Sequence, residues 1–142
     1  MASQDVIVII DDDTLVRQSI RRLTSSLGFV TEIFSSSDEF IASEVMERTA
    51  CIIADVNMPD GSAVKLHDML GGLGCHVPII FMTALPNREL QARLLDSGAV
   101  CVLHKPFSQK EMISCIAKAL QKNDVPLSAA IGPSPIRQRD VK

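Results

Sequence analysis

The sequence predicts an α/β protein with a five-stranded parallel sheet and helices on both faces. Apolar, largely β-branched runs alternate with helical stripes along most of the chain, and acidic residues directly follow two of these runs. Strands that alternate with helical connections are typical of right-handed βαβ units. We therefore expect a doubly wound arrangement of five βα units, with its functional groups at the carboxyl ends of the strands.

Size and composition indicate one ordinary globular domain. The chain has 142 residues, of which 46% are hydrophobic and 22% charged, with a net charge of −3. Because no long Lys/Arg run exists, nothing indicates direct contact with nucleic acid. No apolar run approaches the length of a membrane span, and residues 1–5 do not resemble a signal peptide. The four cysteines lack C-x-x-C spacing, so we expect reduced thiols in a cytoplasmic protein.

The predicted strands are five apolar runs, each bounded by turn or helix signals. They cover residues 5–10, 29–34, 51–55, 78–82 and 100–104. A turn at Pro59-Asp60-Gly61 follows the third strand.

Five helices are predicted between and after these strands. The first runs from about Leu15 to Gly28, and the second begins at a capping box of Ser36 and Glu39 and reaches Met46. The third ends in Gly71-Gly72-Leu73-Gly74, which we interpret as a helix terminus because it lacks the lysine of a phosphate loop. The fourth covers residues 88–97, and Ser108 caps the fifth.

Polar side chains follow four of the strands at one edge of the sheet. They are Asp11–Asp13, Asp55, Thr83 and Lys105. Crowded carboxylates repel one another, so the site requires a cation or raised carboxyl pKa values. Oxygen ligands of this kind suit Mg²⁺. The sequence therefore predicts a metal-dependent phosphoryl site, with Asp13 assigned instead to the N-cap of the first helix.

Four motifs in order are similar to those of the receiver domain of bacterial response regulators. They are Ile9-Ile10-Asp11-Asp12-Asp13, Asp55-Val56-Asn57-Met58-Pro59-Asp60, Met82-Thr83-Ala84 and His104-Lys105-Pro106-Phe107. The Gly98-Ala99-Val100 run and the Met58-Pro59-Asp60 loop resemble the FixJ-like branch. The resemblance implies a flavodoxin-like (βα)5 fold with strand order 2-1-3-4-5. It places a receiver domain at residues 1–121 and a flexible tail or truncated linker at 122–142.

The resemblance implies a phosphoacceptor and a metal site. Asp55 matches the aspartate that a histidine kinase phosphorylates, and a carboxylate is a competent nucleophile for forming an acyl phosphate. Asp12 matches the direct Mg²⁺ ligand, and Asp11 matches its acidic neighbour, which acts largely through water. Asp55 and the backbone carbonyl of Asn57 match further oxygen ligands.

Three further residues match the switching machinery of the family. Thr83 matches the switch hydroxyl, Lys105 matches the lysine that pairs with phosphoryl oxygen, and Pro106 matches a proline preceded by a cis peptide bond. Phosphorylation is expected to shift the fourth helix, fifth strand and fifth helix, which form the expected effector or homodimer face. A sensor histidine kinase is the implied partner. The chain is not expected to be an enzyme beyond its own phosphorylation and dephosphorylation.

Two positions depart from the family pattern. Val102 stands where many receivers carry a Tyr or Phe that changes rotamer, so signalling is expected to use backbone and loop shifts. Ala63 stands where glycine is usual, with Gly61 two residues earlier, and alanine costs free energy if the position requires φ > 0. The catalytic set is intact, so we expect a site that can be phosphorylated.

The output and two rival functions stay open. FixJ-like receivers often precede a helix-turn-helix domain, so this chain is a stand-alone regulator, which we favour, or a receiver cut from a longer protein. A haloacid-dehalogenase-type phosphatase would use Asp11 as nucleophile and Asp13 as acid, and would leave Asp55 idle. A receiver-like interaction module would bind its partner without regard to Asp55 or Mg²⁺.

Overall fold

Five parallel strands form one sheet in the order β2-β1-β3-β4-β5. The computed structural model describes residues 6–57, 62–84 and 87–122. The strands are β1 (Val6–Ile10), β2 (Val30–Phe34), β3 (Thr49–Asp55), β4 (Ile79–Thr83) and β5 (Cys101–His104). Every residue of β1, β3 and β4 is buried, as expected for central strands that are covered on both faces. The predicted fold class and strand order are confirmed.

Each strand is followed by a helix. The helices are α1 (Thr14–Ser26), α2 (Ser37–Ala42), α3 (Ser62–Gly72), α4 (Arg88–Asp96) and α5 (Gln109–Lys122). Three of them begin at side-chain N-caps supplied by Asp13, Ser36 and Asn87. Ser108 and Glu111 form a capping box at the start of α5, because each side chain accepts the other residue's backbone N–H.

The second helix is shorter than the sequence predicted. The apolar spacing suggested a helix that reaches Met46, but α2 ends at Ala42 and a separate 3₁₀ turn covers Met46–Arg48. Ser43 is extended, with ψ of 170°, and its hydroxyl both donates to Phe40 O and accepts from Val45 N. A serine that bonds the neighbouring backbone in this way competes with helical hydrogen bonds, so the helix stops there.

The capping box predicted for α2 is only half formed. Ser36 Oγ accepts the backbone N–H of Glu39 at 3.1 Å, as expected. The Glu39 carboxylate turns instead to Ser35, accepting its hydroxyl at 2.7 Å and its backbone N–H at 2.8 Å. These bonds lower the pKa of Glu39.

The sheet separates two layers of core side chains, each covered by its own helices. On the α1–α5 face, α1 and α5 bury large apolar side chains such as Ile20, Met112 and Ile116. On the α2–α4 face, α2, α3 and α4 bury Phe40, Leu70 and Leu94. Within the described ranges, no helix has the length and hydropathy needed to cross a bilayer.

Three of the four cysteines lie in the core of the α1–α5 face. They are Cys51, Cys101 and Cys115, and all are buried free thiols. Burial raises the pKa of Cys51, and burial together with a hydrogen bond to Cys101 raises the pKa of Cys115 to about 12. Such thiols are mostly protonated near neutral pH and therefore poor nucleophiles. Cys75, on the other side of the sheet, is partly exposed.

The glycine-rich segment at the end of α3 is a helix terminus, as predicted. Gly74 has φ of 76°, and the N–H groups of Gly74 and Cys75 donate to the carbonyls of Gly71 and Leu70 at 3.1 and 2.8 Å. This hydrogen-bond pair defines a Schellman motif, which requires a left-handed residue that glycine accommodates best.

Gly98, which ends α4, has a second constraint besides its φ of 115°. A Cβ added at this position would lie 2.7 Å from Nε2 of His67. His67 was predicted to be a plain helix-surface residue, but its ring packs against the end of α4. Gly98 therefore lets the His67 ring lie against the backbone that follows α4.

Candidate functional site

Three carboxylates converge where β1 and β3 end. These strands are neighbours, with Ile10 paired to Ala54, so the residues that follow them emerge together. One carboxylate oxygen from each of Asp11, Asp12 and Asp55 lies within 4.8 Å of the others. Asp11 is 0% exposed and Asp55 5%, whereas Asp12 is exposed to solvent. The sequence predicted this cluster, and the structure brings its members together.

Lys105 reaches the cluster from the end of β5. Its Nζ lies 3.1 Å from Oδ2 of Asp11 and 3.1 Å from Oδ2 of Asp55. Its backbone N–H donates to Thr83 O at 2.8 Å, and its peptide bond to Pro106 is cis, as the resemblance implied. Burial alone would lower the pKa of Lys105, but its bonds and attraction to Asp11 and Asp55 outweigh burial and raise it. Lys105 is therefore a fixed ammonium shared by two carboxylates.

Backbone amides orient the two buried carboxylates. Asp11 Oδ1 accepts the N–H of Asp13 at 2.9 Å, and Asp55 Oδ1 accepts the N–H of Asn57 at 2.9 Å. With Lys105 on the other oxygen, each carboxylate is held at both ends. Among the described residues, no hydrogen bond holds the Asp12 carboxylate.

The sequence predicted that crowded carboxylates would need a cation or have raised pKa values, and both consequences are found. Burial raises the pKa of Asp11, and the nearby Asp55 charge adds to this, although the Asp13 amide and Lys105 partly offset it. The Lys105 ammonium supplies a cation as well. The two remaining features, an exposed carboxylate and converging hard oxygen atoms, fit a divalent cation such as Mg²⁺.

Thr83 and Asn57 complete the described rim of the site. Thr83 is the last residue of β4 and is 4% exposed. Met82 of β4 is paired with Asp55 of β3. Thr83 therefore lies on the neighbouring strand, one residue past the position level with the phosphoacceptor candidate. The Asn57 side chain accepts the backbone N–H of Ala84 at 2.7 Å, and this bond ties the loop after β3 to the loop after β4.

Arg17 is a site-proximal residue that the sequence did not single out. Its Nη1 donates to the backbone carbonyl of Asp11 at 2.8 Å, and its Nη2 donates to Thr14 Oγ1 at 3.1 Å. An arginine on an amphipathic helix usually indicates a solvated face. The available signal was its position one turn into α1, directly after the acidic loop.

Asp13 is the N-cap of α1, as predicted. Its Oδ1 accepts the N–H groups of Leu15 at 2.9 Å and Val16 at 3.3 Å.

Ala63 lies inside α3, where φ is negative, so the free-energy cost considered for φ > 0 does not arise. Val102 is half-buried on β5 and packs against the α2–α4 face. The predicted turn at Pro59-Asp60-Gly61 lies outside the described residues.

Comparison with known proteins identifies the family. A model of the response regulator receiver domain matches residues 7–117. The response regulator protein TodT of Pseudomonas putida is 34% identical over 116 residues, which are 82% of this chain and 51% of TodT. The transcriptional regulatory protein FixJ of Rhizobium meliloti is 31% identical over 111 residues, which are 78% of this chain and 54% of FixJ.

A solved structure agrees with these relatives. The crystal structure of FixJ-N matches with a TM-score of 0.72 and 28% identity, over 82% of this chain and 93% of that chain. The chain spans about half the length of the curated relatives it matches. Receiver domains take phosphoryl groups from histidine kinases and use Mg²⁺ at an acidic pocket, and an acidic pocket is what β1 and β3 form here. The resemblance seen in the sequence is confirmed: the chain belongs to the response regulator receiver family of two-component signalling systems.

Proposed function

We propose that Asp55 is the phosphoacceptor of this receiver and that a sensor histidine kinase is the donor. The observation that carries the proposal is the state of the Asp55 carboxylate, which is oriented by the Asn57 amide and bonded to Lys105. A nucleophile fixed beside a cation is well placed to meet an anionic phosphoryl group. The acidic cluster around Asp55 supports the same assignment.

The proposed reaction transfers a phosphoryl group from the phosphohistidine of the kinase to Asp55. A carboxylate oxygen of Asp55 attacks the phosphorus of the phosphohistidine, an O–P bond forms and the N–P bond breaks. The histidine nitrogen keeps the bonding electron pair and takes up a proton from solvent. Hydrolysis of the acyl phosphate by water returns the free carboxylate, so the chain turns over only its own phosphoryl group.

The proposed metal ligands are the carboxylates of Asp11, Asp12 and Asp55 and the backbone carbonyl of Asn57. Asp12 is the proposed direct ligand, and the more deeply buried Asp11 acts largely through water. When bound, Mg²⁺ neutralises charge on the transferred phosphoryl group. The three carboxylates supply the hard oxygen donors that this ion prefers.

Lys105 and Thr83 are the proposed links between the phosphoryl group and the rest of the molecule. The Lys105 ammonium already contacts Asp55 and needs only a small movement to pair with phosphoryl oxygen. Thr83 would turn its hydroxyl to the same group and carry the change into α4. Val102 has no ring to reorient, so we propose that backbone and loop shifts carry the signal.

Mass spectrometry tests the phosphoacceptor. Incubation with Mg²⁺ and acetyl phosphate should add one hydroxylamine-labile phosphoryl group to the wild type and none to Asp55→Asn. Asp38→Asn, which alters an exposed acid of α2, is the matched control and should behave as wild type. Uptake by Asp55→Asn, or no uptake by the wild type, would overturn the proposal.

The uptake assay, run beside an assay for phosphate release from a phosphomonoester, separates the rival functions. A phosphatase would release phosphate from phosphomonoesters without Asp55, but Asp13 is already used as the α1 N-cap and Asp11 is bound to Lys105. A phosphate-independent module would show no uptake at all.

Lys105→Ala should keep Mg²⁺ binding and lose most of the phosphate response, and an unchanged response would count against its role.

We further propose that the surface of α4, β5 and α5 forms the homodimer or effector face. Leu95 on α4 is 42% exposed, and we propose that it supplies an apolar contact to the partner at this face. Sedimentation of the phosphorylated protein should show weaker self-association for Leu95→Glu than for Leu73→Glu, a control at the exposed Leu73 after α3. Equal effects would exclude this face.

The domain limits and cellular setting are also proposals. We propose a switching domain at residues 1–121 and a tail or linker at 122–142. The helix α5 extends one residue past this limit, to Lys122, and residues 1–5 and 123–142 lie outside the described residues. The lack of a long basic run supports signalling through protein contacts without direct binding of nucleic acid by this chain, and we propose a cytoplasmic location.

A further inference from the structure

We propose that Arg17 is a positioning residue for the metal site, because its guanidinium fixes the peptide group between Asp11 and Asp12 and so directs the Asp12 carboxylate toward the other two. The inference rests on the proposed function and concerns how tightly the same site binds a divalent cation. It assigns a role to a residue outside the acidic cluster and outside the phosphoryl contacts.

The three carboxylates of the cluster differ in how they are held. Asp11 and Asp55 each accept one backbone N–H and one bond from Lys105. The Asp12 side chain has no hydrogen bond to any described residue and is exposed. Nevertheless, one of its oxygens lies within 4.8 Å of oxygens of both partners. Its placement therefore depends on the backbone that carries it.

Arg17 holds that backbone. The carbonyl of Asp11 belongs to the peptide group that enters Asp12, and Arg17 Nη1 donates to this oxygen at 2.8 Å. Nη2 of the same guanidinium bonds Thr14 in the first turn of α1. The planar fork thus ties the acidic loop to the helix that follows it, with two bonds from one rigid group.

The arrangement has a cost that argues against a purely structural role. Arg17 Nε is buried and has no hydrogen-bond partner among the described residues. Among the described residues, no carboxylate oxygen lies within 4.0 Å of the Arg17 guanidinium nitrogens, although the charge of Arg17 attracts Glu39 at longer range. A buried donor without a partner destabilises the fold. The two bonds that remain serve the geometry of the acidic loop.

The positioning role and a simple charge effect predict opposite results. A positive charge near the cluster repels a divalent cation, so removing it would tighten Mg²⁺ binding if charge alone mattered. If Arg17 instead directs Asp12, removing it releases the peptide group and weakens Mg²⁺ binding. The sign of the change therefore separates the two explanations.

Calorimetric titration of Mg²⁺ into the unphosphorylated protein tests the proposal. Arg17→Met removes the donors and the charge but keeps the aliphatic stem, and it should weaken Mg²⁺ binding by about tenfold or more, as is usual when an orienting partner of a ligand is lost. Arg21→Met makes the same charge change at an exposed position of α1 and should leave affinity nearly unchanged. Arg17→Lys, which keeps the charge and a single donor nitrogen, should recover part of the loss.

A double-mutant cycle excludes a general loosening of the fold. In an Asp12→Asn background, Arg17→Met should have little further effect on Mg²⁺ affinity, because the ligand that it positions is already impaired. Equal weakening in both backgrounds, or Mg²⁺ binding by Arg17→Met that is unchanged or tighter, would overturn the role. If Arg17→Met does not fold, Arg17→Lys replaces it in both backgrounds: it keeps the charge but loses the planar fork, so a loss of Mg²⁺ affinity that disappears in the Asp12→Asn background reports positioning alone.

Failure of this inference is distinguishable from failure of the proposed function. Wild-type protein that neither binds Mg²⁺ nor gains a phosphoryl group would contradict the function itself. Wild-type protein that does both, with an unaffected Arg17→Met variant, would contradict only the role of Arg17.

Discussion

The two faces of the sheet are covered by helices of different length. On the α1–α5 face, α1 and α5 have 13 and 14 residues, whereas α2, α3 and α4 on the opposite face have 6, 11 and 9. Short helices gain little from their own hydrogen bonds and depend on side-chain burial. The α2–α4 face is therefore divided into small units, each of which can move at lower cost than a long helix.

This difference divides the candidate site into two halves. Asp11, Asp12 and Lys105 lie on the loops that lead into the long helices α1 and α5. Thr83 is the last residue of β4 and Asn57 lies just after β3, ahead of α4 and α3 respectively. Three charged groups of the site thus precede the long helices, Asp55 ends β3 between the two halves, and the proposed switch residue Thr83 stands beside the shorter helix α4.

Truncation of one core side chain on each face should have the largest effect. Ile116→Ala on α5 should lower the free energy of unfolding by about 3–4 kcal/mol, and Leu94→Ala on α4 by about 2 kcal/mol, because a short helix can relax into the cavity. Urea unfolding measures both losses. An equal or larger loss for Leu94→Ala would contradict the proposed difference between the faces.

Substitution of Gly98 tests the contact between the His67 ring of α3 and the turn that follows α4. Gly98→Ala should cost about 1–2 kcal/mol for the left-handed backbone, plus the strain of a Cβ placed 2.7 Å from His67. Gly74→Ala is the matched control, since its φ is 76° but no atom lies within 4 Å of an added Cβ. Thermal unfolding should show the larger loss for Gly98, and His67→Ala should remove the excess. Equal losses for the two glycines would show that His67 does not resist the Cβ.

The N-caps of α1 and α4 offer a smaller, matched comparison. Asp13→Ala removes a carboxylate that accepts two N–H groups, and Asn87→Ala removes an amide that accepts one. We expect losses of about 1–2 and 0.5–1 kcal/mol respectively, since the charge of Asp13 also favours a helix N-terminus. Hydrogen exchange should rise only in α4 for Asn87→Ala. A rise across the whole sheet in that variant would indicate that α4 does not open as a separate unit.

The smallest effect concerns pH and Glu39. Its pKa is lowered in the folded state by its bonds to Ser35, so the ionised form stabilises the fold above the ordinary carboxyl pKa. This contribution is lost as the pH falls through the lowered pKa. Glu39→Gln should therefore melt slightly below wild type at neutral pH and equally with it in strong acid. A gap between Glu39→Gln and wild type that persists in acid would contradict the ionic origin.

Most of the fold could be predicted because its strands are buried runs that end at polar residues. β3 and β4 each differ from their predicted bounds by two residues or fewer at either end. The end of α2 was wrong because Val45 and Met46 keep a helical spacing and still reach the core, but through a 3₁₀ turn. Periodicity reports which side chains are buried and does not detect a backbone break such as the one at Ser43.

The site was predictable in its members and less so in its bonds. Strand ends alone placed Asp11, Asp55 and Lys105 at one edge. The sharing of Lys105 by two carboxylates depends on contacts between residues 94 and 50 positions apart, which no local pattern encodes. Arg17 was missed because an arginine that points to a carbonyl has the same spacing in sequence as one that points to water.

The buried cysteines give the molecule built-in reporters of motion. The chain has no Trp and no Tyr, so intrinsic fluorescence would follow few of its changes. Cys51, Cys101 and Cys115 lie beneath the α1–α5 face, while Cys75 is partly exposed on the other side. A thiol reagent should therefore modify Cys75 first and the other three only when their cover lifts, at a rate set by the free energy of that opening. Labelling kinetics can thus record, without any introduced probe, whether the α1–α5 face stays closed during signalling.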